Sequence, residues 1–304
     1  MNLYTLPRYD ERVSRLALGV EPRDALTGLR LPDGVDVRRE LYPPPVDRWR
    51  SWRPGETLTP FLPRMPRHHT GRFALRYDDL VPQENDLRIV DGAGRRFVPR
   101  RLRVTIEDEE SVVTAESGAA VPLPQWRRAF PVWCFPGSTA PLPSGLTVLR
   151  GSIVRRDAAG DLQPVRWARV RARRSDAPDA GWDEPEDDGD VGWAHGDDRG
   201  EFVLVVRSSP GAVVVPADPV RIAVRIGAAP TPVPDPNDPQ LPAVDPLWDL
   251  PLETVTLGPV PEAQRSLTGR RFLPSQSVEI PLEPLPPIAL RHGRVTSIVI
   301  HISS

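Results

Sequence analysis

Proline decides most of what this chain can become. It fills 39 of 304 positions, where an ordinary share of about 5% would give about 15. Inside a helix each proline deletes a backbone hydrogen bond and clashes with the preceding turn, so density of this kind predicts very little helix. Proline and glycine, 39 and 22 residues, make about 20% of the chain, below the roughly 25–30% typical of low-complexity sequences. Hydrophobic residues at 39% and eight tryptophans are enough to build cores. The expectation is an all-β protein with long ordered loops.

Basic and acidic residues nearly cancel, 39 against 41, leaving a net charge of −2. No bulk field gathers nucleic acid or an anionic membrane, and neither partner is expected. Every basic residue is arginine. GC-rich codon usage explains that most simply, and arginine also suits protein–protein contacts. Cys134 is the single cysteine, so no disulfide closes within the chain. Met1–Asp10 lacks a basic region followed by an apolar one, and no apolar run nears the ~18 residues of a membrane span. The expected location is cytoplasmic.

Short alternating runs separated by turn residues fill 10–108: Ser14–Val20, Gly34–Val37, Gly71–Tyr77 and Asp86–Val90. An Asp91-Gly92 turn then leads into Arg96–Val98 and Arg101–Ile106, as in a hairpin. This pattern predicts a first β-sandwich. Residues 109–146, entered through the acidic run Glu107–Glu110, collect Trp126, Trp133, Cys134 and Phe135 among prolines. They read as a linker packed by its aromatic side chains. Strand-like runs resume in 147–227 at Leu146–Val154, Val165–Ala172, Gly200–Val206 and Val220–Ile226, interrupted by an acidic insertion at 175–192. The run Val165–Ala172 alternates an apolar face with an arginine face.

The remainder, 228–304, reads as an extended proline-rich C-terminal arm with short β-prone pieces at Glu253–Leu257 and Ser277–Ile280. Its end puts Ile298, Ile300 and Ile302 on one strand face. A lone strand of this kind must join a sheet edge, in this chain or in another subunit. The two β regions also echo one another. Gly71-Arg72-Phe73-Ala74-Leu75 and Gly200-Glu201-Phe202-Val203-Leu204 lie 129 residues apart, with glycine turning the chain and phenylalanine pointing into a core. Phe73 and Phe202 are expected at equivalent buried positions of two related sandwiches.

The run Leu149–Val154, then Pro164-Val165 leading to Ala168-Arg169-Val170, then Asp198–Leu204 resembles the carboxypeptidase regulatory-like domain, over about 147–227. The resemblance implies a seven-stranded, transthyretin-like or Ig-like sandwich acting as a non-catalytic scaffold. The insertion at 175–192 departs from the family pattern. Domains similar to these occur in phage-tail-like contractile injection particles, linking cap, tube or baseplate parts.

Candidate chemistry is sparse. His68 and His69 are sequence neighbours and would face opposite sides of a strand, so no metal centre is expected there. Asp183, Glu184, Glu186, Asp187, Asp188, Asp190, Asp197 and Asp198 lack calcium-loop spacing and read as a solvated acidic loop. Cys134 has no basic neighbour to activate it and reads as a buried thiol. No nucleophile elbow, zinc or phosphate-loop motif occurs, so neither catalysis nor a cofactor is expected. Loop-like Trp49, Trp52, Trp182 and Trp193 are candidate interface residues, as are Ile298, Ile300 and Ile302. The expectation is a structural or adaptor subunit held by other protein subunits, with a homo-oligomeric ring as one candidate arrangement. A carbohydrate- or surface-binding module is the alternative.

Overall fold

A computed structural model describes residues 16–31, 33–40, 63–76, 84–91, 96–106, 129–175, 190–206, 219–228, 245, 247–257 and 283–302. Among the described residues there is no helix, and the regular structure is all β. The strands are β1 (Leu16–Asp24), β2 (Val35–Glu40), β3 (Phe73–Arg76), β4 (Glu84–Asp91), β5 (Arg100–Ile106), β6 (Ala129–Cys134), β7 (Thr147–Arg156) and β8 (Leu162–Pro164). They continue as β9 (Arg169–Arg174), β10 (Asp190–His195), β11 (Glu201–Val206), β12 (Val220–Gly227), β13 (Leu252–Leu257), β14 (Glu283–Pro284), β15 (Ile288–Leu290) and β16 (Val295–Ile302).

Two sandwiches result. In the first, the sheet β3-β1-β6 faces the sheet β13-β5-β4-β2. Alternate residues of each strand point inward, so Leu18, Val20, Val37, Phe73, Leu87, Leu102, Val132 and Val255 form one core. In the second, β11-β7-β16 faces β10-β9-β12, which β14 and β15 extend. Its core gathers Leu149, Ile153, Val170, Phe202, Leu204, Ile222, Val224 and Ile300.

Domain boundaries differ from the sequence reading in two places. The segment read as a linker, 109–146, supplies β6, which runs parallel to β1 from Gly19↔Ala129 to Asp24↔Cys134. The segment read as an arm, 228–304, divides between both sandwiches. Its β13 pairs in parallel with β5 in the first sandwich. Its β14 and β15 pair antiparallel with β12, and its β16 pairs in parallel with β7 along the whole strand. Parallel neighbours need a crossover of a dozen or more residues. Here the connections run through other strands: β2 to β5 lie between β1 and β6, and β8 to β15 between β7 and β16. The β-prone piece Ser277–Ile280 lies outside the described residues, as do most of the prolines between Ala228 and Pro251.

The repeat is deeper than the local echo. β1 sits between antiparallel β3 and parallel β6, and β7 sits between antiparallel β11 and parallel β16. Likewise β2-β4-β5 and β9-β12-β15 are both antiparallel runs. Gly71 and Gly200 have φ of 81° and 72°, a region that L side chains avoid. A Cβ on Gly200 would come within 2.6 Å of the Ile153 carbonyl oxygen. Two residues after each glycine, Phe73 and Phe202 are fully buried. In the second sandwich the Phe202 ring lies over Gly151, its cross-strand partner.

Candidate functional site

Among the described residues two places stand out: the junction between the sandwiches and the outer side of β16. The junction begins with a local irregularity. Sequence alternation puts Val165–Ala172 on one strand, but β9 starts only at Arg169. Ahead of it Trp167 takes φ 58°, the only positive value outside glycine among the described residues. That conformation costs roughly 1–3 kcal/mol for a bulky residue and persists only where surroundings impose it. Here the indole packs on Val98 and Leu250 of the first sandwich side. Its Nε1 donates to Asp249 Oδ1 at 2.8 Å, and its N–H donates to the Asp197 carbonyl at 3.1 Å. Arg166 completes the contact with an ion pair to Asp249 at 2.6 Å.

Beside it lies a buried triad. Arg100 of β5 donates to both carboxylate oxygens of Glu253 on β13, at 3.2 and 2.6 Å, and to the Trp133 carbonyl at 2.8 Å. Arg169 of β9 donates to Glu253 Oε1 at 2.9 Å and to the Trp167 carbonyl at 2.9 Å. One carboxylate from the first sandwich is therefore shared by one guanidinium from each sandwich. Burial, which Glu253 only partly offsets and Arg100 reinforces, holds Arg169 below the ordinary arginine value.

His195 of β10 lies beside this cluster. It sits opposite Arg169 in the ladder and stacks on Phe135, with ring centroids 4.0 Å apart. Burial first, then the charges of Arg169 and Arg100, hold the ring well below the ordinary histidine value. It is neutral at neutral pH. Around it Ala25, Trp133 and Phe135 form a small apolar cluster against which Trp193 packs. Leu26 reaches the outer face of the second sandwich, joining Val148, Val203 and Val205. Ser138 donates to Asp197 Oδ2 at 2.9 Å. On the first sandwich, buried Arg88 joins Glu40 to Asp245, the latter at 2.7 Å, and so anchors the chain entering β13. Burial alone would lower Arg88, but the charges of Glu40 and Asp245 raise it above the ordinary value.

The arginine face of β9 is thus not a solvent face. Arg169, Arg171 and Arg173 are all buried, and Arg171 lies over the Trp193 ring at 4.9 Å. Trp193 is half-buried within the junction instead of standing out as a free interface residue. Ile300 is core, and Ile298 and Ile302 pack against that same core. These three isoleucines face the chain's own second sandwich. Trp49, Trp52 and Trp182 lie outside the described residues, as does most of the acidic insertion. His68 and His69 are exposed neighbours with ring centroids 3.9 Å apart, and among the described residues no three potential ligands converge on a metal position. Burial pushes the Cys134 thiol up to about 12.

Sequence reasoning did not single out Arg100, Trp167, Arg169, His195 or Glu253 as a group. One signal was present. In Glu253–Leu257 the glutamate shares a face with Val255 and Leu257, and a carboxylate on an apolar face demands a buried cation. Which arginine answers it depends on tertiary pairing.

No protein-family model and no curated protein matches this chain, so the carboxypeptidase regulatory-like resemblance rests on its residues alone. In the turn before β11, Asp197 Oδ1 accepts from the N–H groups of Arg199 and Glu201, at 2.9 and 3.0 Å. Among solved structures, the chain is similar to GBS52, the minor pilin of Streptococcus agalactiae, at 7% identity over 94% of each chain with a TM-score of 0.22. The shaft pilin SpaA of Lactobacillus rhamnosus GG is 9% identical over 71% of this chain and 88% of its own, with a TM-score of 0.19. The basal pilin SpaE of the same bacterium reaches 12% identity, over 72% and 86%, with a TM-score of 0.15. TM-scores this low transfer neither a whole fold nor an assembly to this chain.

Proposed function

We propose that this chain is a non-enzymatic structural or adaptor subunit of a large protein assembly. The junction carries the reading. After β6, after β12 and after β13 the chain crosses from one sandwich to the other. The crossings are tied by a buried two-arginine carboxylate cluster and three apolar patches. Two modules bound in this way act as one rigid spacer, the property a scaffold needs. Independent binding modules usually move relative to one another across smaller, more polar interfaces.

The particular assembly we assign is a phage-tail-like contractile injection particle built in the cytoplasm, with this chain as a cap, tube or baseplate component. The support is the domain resemblance along 147–227, an analogy of domain type. Rate-zonal sedimentation of a lysate from the native host, probed for the tagged full chain, tests it. The chain should travel with a high-mass particle containing tube and sheath subunits. Recovery only in low-mass fractions would sink the assembly reading, and glycan-array binding by those fractions would support the surface-binding alternative.

A further inference from the structure

An open sheet edge is a template for another strand, and proteins normally blunt such edges with charge, proline or brevity. Most edges in this chain are blunted. β2 carries Arg38, Arg39 and Glu40, β6 carries Pro131, β13 carries Glu253, and β14 ends in Pro284. β3 and β15 are only four and three residues long. β11 is buried along nearly its whole length. β10 begins with Asp190, and among the described edge strands of six or more residues the exception is β16, eight residues reading Val-Thr-Ser-Ile-Val-Ile-His-Ile, with no proline, glycine, aspartate, glutamate or arginine.

Its pairing leaves one side open. Val148 N–H donates to the Arg294 carbonyl at 3.0 Å, and the parallel register runs from Val295↔Val148 to Ile302↔Arg155. Backbone groups alternate sides along a strand, so those of Thr296, Ile298, Ile300 and Ile302 serve β7. Those of Val295, Ser297, Val299 and His301 point away from it. Among the described residues no strand meets that side. The same four side chains stand on the outer face, with Val295 58% and Val299 60% exposed. On the inner face Ile298 and Ile302 remain only partly covered.

We propose that the outer edge of β16 is a self-association site, where a second copy of this chain adds its own β16 antiparallel about a two-fold axis through Val299. The two β11-β7-β16 sheets then become one continuous sheet. This register sets Ser297 against His301, so the two histidines do not meet. It also sets Ile298 against Ile300 and Thr296 against Ile302, covering the isoleucines that the single sandwich leaves half-open. An uncharged edge selects an uncharged strand, and β16 is the one strand of six or more described residues free of both formal charge and proline. The contact is isologous and closes at two copies. It needs only this edge and stands independently of the particle reading.

The full chain at micromolar concentration, measured by sedimentation velocity across a dilution series, should show a species of twice 33.7 kDa dissociating on dilution. Val299→Pro removes an N–H that points away from β7, a tolerated place for an edge proline. It should abolish the dimer while leaving the thermal midpoint nearly unchanged. Val299→Arg should do the same by setting like charges across the axis. As a positive test, Val299→Cys should cross-link on mild oxidation and Val295→Cys should not. A hydrogen-bonded antiparallel pair holds its Cα atoms about 5.5 Å apart, inside the roughly 4.4–6.8 Å a disulfide spans. Cys134 is buried and does not compete. A wild-type monomer at every concentration overturns the proposal. So does a mass above two copies, or a dimer that survives both Val299 substitutions without cross-linking through Val299→Cys.

Discussion

At the scale of single residues, the informative positions are those where a side chain leaves no room for another choice. Phe202 lies on Gly151, and a Cβ there would approach the ring at 2.7 Å and the Ile298 carbonyl oxygen at 2.9 Å. Phe202→Ala should therefore cost about 3–5 kcal/mol through the cavity it opens. Gly151→Ala should cost about 1–3 kcal/mol through overpacking. Urea titration of each variant measures both, and a loss below 1 kcal/mol for Phe202→Ala would contradict the core assignment. Glu253→Gln tests the junction. It removes the carboxylate charge that two buried guanidinium groups share, and removing one side of such a cluster costs about 3–5 kcal/mol. Phe73 and Phe202 were legible from their glycine-led motifs, because a turn and an alternating strand are local patterns. Trp167 was not. Its alternation with Val165 and Arg169 reads as strand, and only packing against Val98 and Leu250 holds it at positive φ.

At the scale of elements, strand existence was largely readable and strand destination was not. Alternation marks Glu253–Leu257 and Ile298–Ile302 as β-prone, since every second residue must meet an apolar core. Nothing local says that β13 returns to the first sandwich while β16 closes the second. Pairing partners are chosen by cross-strand packing far away in sequence. The consequence for truncation is direct. Ending the chain after Ile226 removes β13, β14, β15 and β16, stripping one strand from β5 and the whole parallel neighbour of β7. The shortened chain should show no cooperative thermal transition by circular dichroism. A sharp transition near that of the full chain would restore the reading of 228–304 as an appended arm.

At the scale of the whole molecule, the junction makes stability depend on pH. His195 has its folded value depressed below the ordinary 6.5. Above 6.5 the ring is neutral in both states and contributes no slope. As pH falls below 6.5 the unfolded chain takes a proton that the folded chain refuses, so stability declines. The urea midpoint should fall between about pH 7 and pH 5, and His195→Leu should flatten that slope. An unchanged slope in the variant would exclude the ring as its source. Glu21 acts lower down. Burial raises its value, but hydrogen bonds from Arg72 and Arg23 and the charges of Arg23 and Arg30 outweigh this and hold it below 4.5. Its stabilisation is present above 4.5 and is lost as pH falls through the lower folded value. The three crossings between sandwiches also set an order on synthesis. The first sandwich lacks an edge strand until residue 257 has emerged, and the second lacks the neighbour of β7 until residue 302 has emerged. The first sandwich can therefore be completed before the second, which waits for β16. Each sandwich waits on a strand distant in sequence from the one it pairs with, β13 on β5 and β16 on β7, and pairing of such long range folds slowly.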